Sequence, residues 1–147
     1  MQTFLPYASF EKTFKCLDWR RLNKQRLEAK QIFNVITGRT DKKGWIHHPA
    51  VVMWRQHPHF LALYHNECIF EWKKRGYNNN MPLIQQMPDM VEEPRWWGDE
   101  RFHSSHRQTL LSKNYEWYNQ FGWSEYPKYE YFWPSKCEDY IEIVKKG

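Results

Sequence analysis

The sequence predicts an all-α fold, a compact single-domain helical bundle spanning 1–147, and three observations carry that expectation. Apolar residues recur at helical spacing in several long segments. Each such segment is bracketed by a capping residue before it and a glycine or polar stop after it. The remaining long stretches read as a loop without periodicity, 77–98, and an aromatic, turn-rich tail of undefined structure. A chain of 147 residues is long enough to bury a real core, and it carries no internal repeat or linker.

The longest helical signal is DWRRLNKQRLEAKQIFNVITG, 18–38. Asp18 is a good N-cap and Gly38 suits a left-handed C′ position. Leu22, Ala29, Ile32, Phe33 and Ile36 make its apolar stripe. At about 100° per residue, Arg21, Gln25 and Glu28 fall within roughly 60° of Ile32. They therefore form a polar row along the border of the buried face. Such a row is either a salt-bridged edge or one wall of a cleft, and both readings stay open at this point.

Before this helix, Ser9 can cap a short helix through Lys15. After it, the connector RTDKKG ends at Trp45, which is expected to anchor it, and Pro49 suits the first turn of a short helix, PAVVMWR. Pro58 to Arg75 carries Leu61, Tyr64, Cys68 and Trp72 on one face and closes with Lys73, Lys74, Arg75 and Gly76. The segment 77–98 has three consecutive Asn, three Pro and three Met and reads as a long loop. Asp99 caps ERFHSSHRQTLLSK, with Phe102, Thr109 and Leu110 turned inward. The C-terminal segment is aromatic and turn-rich, with helix expected only near Tyr115 to Gln120.

Charge and composition narrow the function. Nine each of Trp, Tyr and Phe exceed what a small core needs, so some rings should face a partner. The formal net charge is +5, and residues 12–30 alone hold seven Lys or Arg, Lys24 among them, against Asp18 and Glu28, again 7 − 2 = +5. A concentrated basic helix is the footprint of a phosphate backbone. Three widely separated cysteines, Cys16, Cys68 and Cys137, contain no CxxC spacing and read as free thiols of a reducing compartment. The start MQTFLPYASF has neither a basic n-region nor an apolar run, and no segment has the apolar length of a bilayer span, so a cytoplasmic protein without membrane attachment is expected.

No Gly-rich phosphate loop, nucleophile elbow or paired-cysteine motif is present. The histidines lack metal-site spacing beyond the i, i+3 pair His103 and His106, so neither metal nor cofactor is expected. His103, His106 and Arg107 read instead as donors for phosphates or a carboxylate, with a structural role as the alternative. A nucleophile would have to be an amine or a carboxylate. The α-amino group, here that of Met1, has an ordinary pKa of roughly 8 and is partly neutral at pH 7. A carboxylate nearby can steady positive charge on a sugar.

The segments MQTFLP, LDWRRLNKQRLEA, HPAVVMW, EWKKRGY and GDERFHSSHR together resemble the pyrimidine-dimer DNA glycosylases of the phage endonuclease V type, in a divergent bacterial and phage branch. The resemblance covers roughly 1–122. It implies an all-α domain that flips a nucleotide from the duplex, attacks sugar C1′ with its N-terminal amine, releases the base and nicks the strand by β-elimination. It further implies double-stranded DNA with a damaged or modified base as partner, a monomer, and repair as the role. Carried over, Met1 is the amine, Glu28 the carboxylate, and Gln25 orients water or the sugar. Arg21, Lys24, Arg26, His103, His106, Arg107 and Lys113 are the DNA-binding residues. Two positions depart from the family pattern: Gln2 stands where the family has Thr, and a gapless alignment puts Asn23 at the family's glutamate. The alternatives are a non-catalytic binder of DNA or nucleotide, and an N-glycosidase of RNA or free nucleotides.

Overall fold

A computed structural model describes residues 2–40, 44, 46–85, 91–134 and 141–145, the backbone alone for 134 and 141–145. Met1, Trp45, the centre of the long loop and Cys137 lie outside the described residues.

The described residues are mostly helical, in the order the sequence predicts. Helix α1, Phe10–Cys16, starts where Ser9 Oγ accepts from Lys12 N at 3.2 Å. Helix α2, Trp19–Ile36, ends at Gly38, whose φ of 71° is the left-handed turn that glycine adopts without a Cβ penalty. Helix α3, Pro49–Val52, is a single turn. Helix α4, Pro58–Lys74, buries Leu61, Tyr64, Cys68 and Trp72, the stripe read from the sequence. Helix α5, Glu100–Lys113, is capped by Asp99, which accepts from Arg101 N at 3.0 Å. A short helix α6, Tyr115–Tyr118, runs into a 3-10 turn, Asn119–Phe121.

Asp18 needs a correction. It stands at the N-cap of α2, yet its side chain makes no capping bond. Its carboxylate instead accepts from the Tyr118 hydroxyl and lies 3.3 Å from Arg21. A buried carboxylate with a phenol and a guanidinium within reach is better satisfied by them than by a helix-end N–H.

The C-terminal segment adds what the sequence left undefined, an antiparallel two-stranded ribbon. Strand β1, Glu130–Pro134, pairs with β2, Ile141–Lys145, with Tyr131 opposite Val144 and Trp133 opposite Glu142. Ser105 Oγ accepts from Phe132 N at 3.1 Å, which fastens the ribbon to α5. Tyr131 and Trp133 are buried there.

The core lies where α2 crosses α4, with α1 and α5 closing it. Much of the aromatic surplus is spent inside. Trp54, Phe60, Tyr64 and Trp96 contact one another at ring separations of 5.0 to 6.5 Å, edge-on or tilted. Trp19, Tyr77, Trp117 and Tyr126 remain at the surface.

Candidate active site

Residues 2–6 have no regular secondary structure, yet Gln2 to Pro6 are buried. Buried peptide groups need partners, and here side chains supply them. Phe4 N donates to Gln25 Oε1 at 2.7 Å, and Leu5 N donates to His106 Nδ1 at 2.8 Å. His103 Nδ1 donates to Leu5 O at 2.7 Å, and Arg107 donates to Pro6 O at 2.7 Å. The Tyr64 hydroxyl lies 2.8 Å from both Phe4 O and Gln25 Oε1, and its one proton serves between them.

This lacing brings Gln2 against the polar border of α2. Gln2 N lies 3.1 Å from Glu28 Oε2. Beside it opens a cavity of about 350 Å³. Gln2, Gln25 and Glu28 form one wall; Arg20, Arg21, Lys24 and Lys113 surround it; Tyr129 and Tyr131 close it from the C-terminal segment. Four cations thus face one carboxylate, an arrangement that draws in a polyanion and leaves Glu28 to act on something positive.

The sequence-expected residues divide. Arg21, Lys24, Gln25, Glu28 and Lys113 come together at this cavity. Gln25 is buried and its Oε1 holds Phe4 N, so that oxygen positions the N-terminal segment rather than a water. Lys113 Nζ also donates to Tyr129 Oη at 3.0 Å. Arg26 is a correction. It lies about 140° around the helix from Arg21 and contacts Asn79 at 2.5 Å, Asn23 at 2.8 Å and the Trp72 ring at 4.8 Å. Asn23 therefore also faces away from the cavity, and Glu28 is the α2 carboxylate that reaches it.

His103, His106 and Arg107 are the second correction. All three are buried, and they hold the N-terminal segment instead of presenting donors to solvent. They lie on the same side of α5 as Phe102 and Leu110, which is the side that packs inward. Their bonds fix the tautomers. His103 takes Gly98 N at Nε2 (2.9 Å), so its proton is on Nδ1; His106 accepts at Nδ1, so its proton is on Nε2. Tyr129, Tyr131, Arg20 and Gln2 were missed as lining residues. The ribbon that brings the two tyrosines has no helical signal to place it.

Burial holds both imidazoles below their ordinary pKa of 6.5, His106 well below, and the nearby His103 and Arg107 charges push His106 further. Burial lowers His65 too. In the unfolded chain these groups take protons as pH falls through about 6.5, while the folded chain resists. The unfolded state then binds more protons, so stability decreases with acidification. Tm is expected to fall between about pH 7 and pH 5. The His106→Asn variant, whose Oδ1 can replace the Nδ1 acceptor, should show a shallower fall. A flat Tm across that range in the parent protein would contradict this.

Among the described residues, no group of three or more His, Cys, Asp or Glu is placed to hold a metal ion, and no helix is long and apolar enough to cross a membrane. A family model described as pyrimidine dimer DNA glycosylase matches residues 1–85, the stretch holding the N-terminal segment, α2 and Glu28. Neither the curated proteins nor the solved structures give a match.

Proposed function

The chain belongs to the pyrimidine dimer DNA glycosylase family, and from that premise we propose that it excises a damaged or modified base from duplex DNA and nicks the abasic site. The amine at the start of the chain attacks C1′ of the extruded nucleotide. The base departs with the glycosidic electron pair, and an imine joins the sugar to the amine. Loss of a C2′ proton then expels the 3′-phosphate by β-elimination. Glu28 is the carboxylate that steadies the positive charge on sugar and imine. Arg21, Lys24 and Lys113 hold phosphates around the cavity.

The observation that carries this reading is the 3.1 Å approach of Gln2 N to Glu28 at the cavity wall. Met1, whose amine this reading takes as the nucleophile, directly precedes Gln2 in the sequence. The same bond favours a second reading, a DNA binder without chemistry. While residue 1 is retained, Gln2 N is a peptide donor that occupies Glu28 and is no nucleophile.

Borohydride reduction in the presence of abasic-site duplex decides between them, with intact-mass measurement identifying the first residue. A covalent protein–DNA adduct at the N-terminal residue is expected. Binding without adduct, and without base release from damaged duplexes, would leave the binder. Phosphate contacts are tested by salt. Lys24→Ala should reduce the slope of log K against log salt by about one. Arg26→Ala should leave the slope unchanged and instead lower Tm by about 3 °C, as its packing on Trp72 is lost.

A further inference from the structure

A second concavity, of about 880 Å³, borders the cavity beside Glu28 and shares Arg20, Arg21 and Lys113 with it as lining residues. It runs from the start of α2 past the C-terminal end of α4 to the junction of α5 and α6. Its cations are Lys15, Arg20, Arg21, Arg75 and Lys113, and Asp18 is its one acid. Three of the five have carboxylate partners, Glu11, Asp18 and Glu71, so the local sum is 5 − 3 = +2. Arg20 makes no ion pair among the described residues; its guanidinium stands 5.4 Å from the centre of the Trp19 ring.

The groove also exposes rings. Trp19 is 51% exposed, Tyr77 41% and Trp117 38%, in a protein that buries Trp54, Trp96 and Trp133 almost completely. Trp117 is held in this attitude by its indole N–H, which donates to Cys16 O at 2.7 Å, and Tyr77 by stacking on Trp72 at 4.3 Å. Exposed rings fixed in place beside cations are the components of a single-strand platform, in which bases stack on aromatic faces and phosphates meet the charges. A paired duplex cannot use them in this way, because neighbouring base pairs already cover each base's faces.

We propose that this groove binds an unpaired DNA strand running out of the cavity, with a base stacked on Trp19 and the adjoining phosphate on Arg20. This rests on the proposed DNA reading and specifies its substrate: a lesion next to a single-stranded stretch, as in a bubble, fork or tailed duplex. The unpaired strand delivers its nucleotide to Glu28 without the cost of unstacking a paired base.

The test is fluorescence anisotropy of the full chain with an undamaged labelled oligonucleotide, single-stranded and as the perfect duplex. Trp19→Ala should weaken single-strand binding about tenfold, Trp19→Phe should restore most of it, and duplex affinity should not change. Equal losses on both substrates, or no loss on the single strand, would overturn the proposal. Unchanged Tm of both variants confirms that the groove and not the fold is read. Imine trapping is scored separately. Adduct formation by the parent protein with no Trp19 effect removes the groove and keeps the enzyme. A Trp19-dependent single-strand preference without adduct keeps the groove and removes the enzyme.

Discussion

Replacing Glu28 by Gln is expected to lower imine trapping and strand cleavage on abasic DNA by about 10²–10³-fold while leaving DNA affinity within a few-fold. The substitution keeps the side chain's length and an oxygen that can accept from Gln2 N, which lies 3.1 Å from the carboxylate in the parent. What it removes is negative charge at the point where sugar and imine become positive. The four surrounding cations, Arg20, Arg21, Lys24 and Lys113, make that charge more valuable, because Glu28 is the acidic residue among those lining the cavity. Only Arg21 has a further carboxylate partner, Asp18, among the described ion pairs of these four. Affinity should hold, or rise slightly, since a repulsive term toward phosphates is gone. Wild-type cleavage by the variant would show that the reacting carboxylate lies elsewhere.

Arg107→Met should cost about 3–5 kcal/mol of stability, or a fall in Tm of about 10 °C. Arg107 is buried between Glu125, 2.9 Å away, and Pro6 O, with Glu100 as a further partner. Its removal strands the Glu125 carboxylate, whose side chain is only 10% exposed. Adding Glu125→Gln should return a substantial part of the loss, because the neutral amide leaves no unpaired charge behind. A role on DNA phosphate would give a different result: unchanged Tm, a smaller salt slope, and no rescue by Glu125→Gln. Thermal denaturation of the two single variants and the double variant separates these outcomes.

The helices were readable because their ends are written in local chemistry. Ser9, Asp99, Pro49, Pro58, Gly38 and Gly76 each constrain backbone near themselves, and a linear reading captures that. The polar border of α2 was readable from helical period alone, and with it Glu28. Which of two arginines five residues apart faces the cavity also follows from the period. Arg26 and Arg21 cannot share a side, although the family resemblance implied both as DNA-binding, and Arg21 is the one that lines the cavity. His103, His106 and Arg107 share a side with Phe102 and Leu110, which was a legible warning that they point inward. What they hold was not legible, since their partners Leu5 and Pro6 lie about a hundred positions earlier. Gln25 belongs to the same class: a polar side chain beside a cavity looks identical in sequence whether it serves ligand or backbone. The ribbon that brings Tyr129 and Tyr131 to the cavity carries a period of two, in Tyr129, Tyr131 and Trp133 and then Ile141 and Ile143. Over strands of five residues in an aromatic, turn-rich stretch that period is too short to define them, and the far wall stayed undefined with them.

The bonds between residues 2–6 and the far end of the chain also set when the site can exist. Leu5 and Pro6 are gripped by side chains 101 residues downstream, so during synthesis their anchors emerge long after them. A nascent chain that has made α2 and α4 can already bond Phe4 to Gln25 and Tyr64, but Leu5 and Pro6 still lack His106 and Arg107. The N-terminal segment is thus fully seated beside Glu28 only once α5 has docked, and on the proposed function the chemistry waits for the same step.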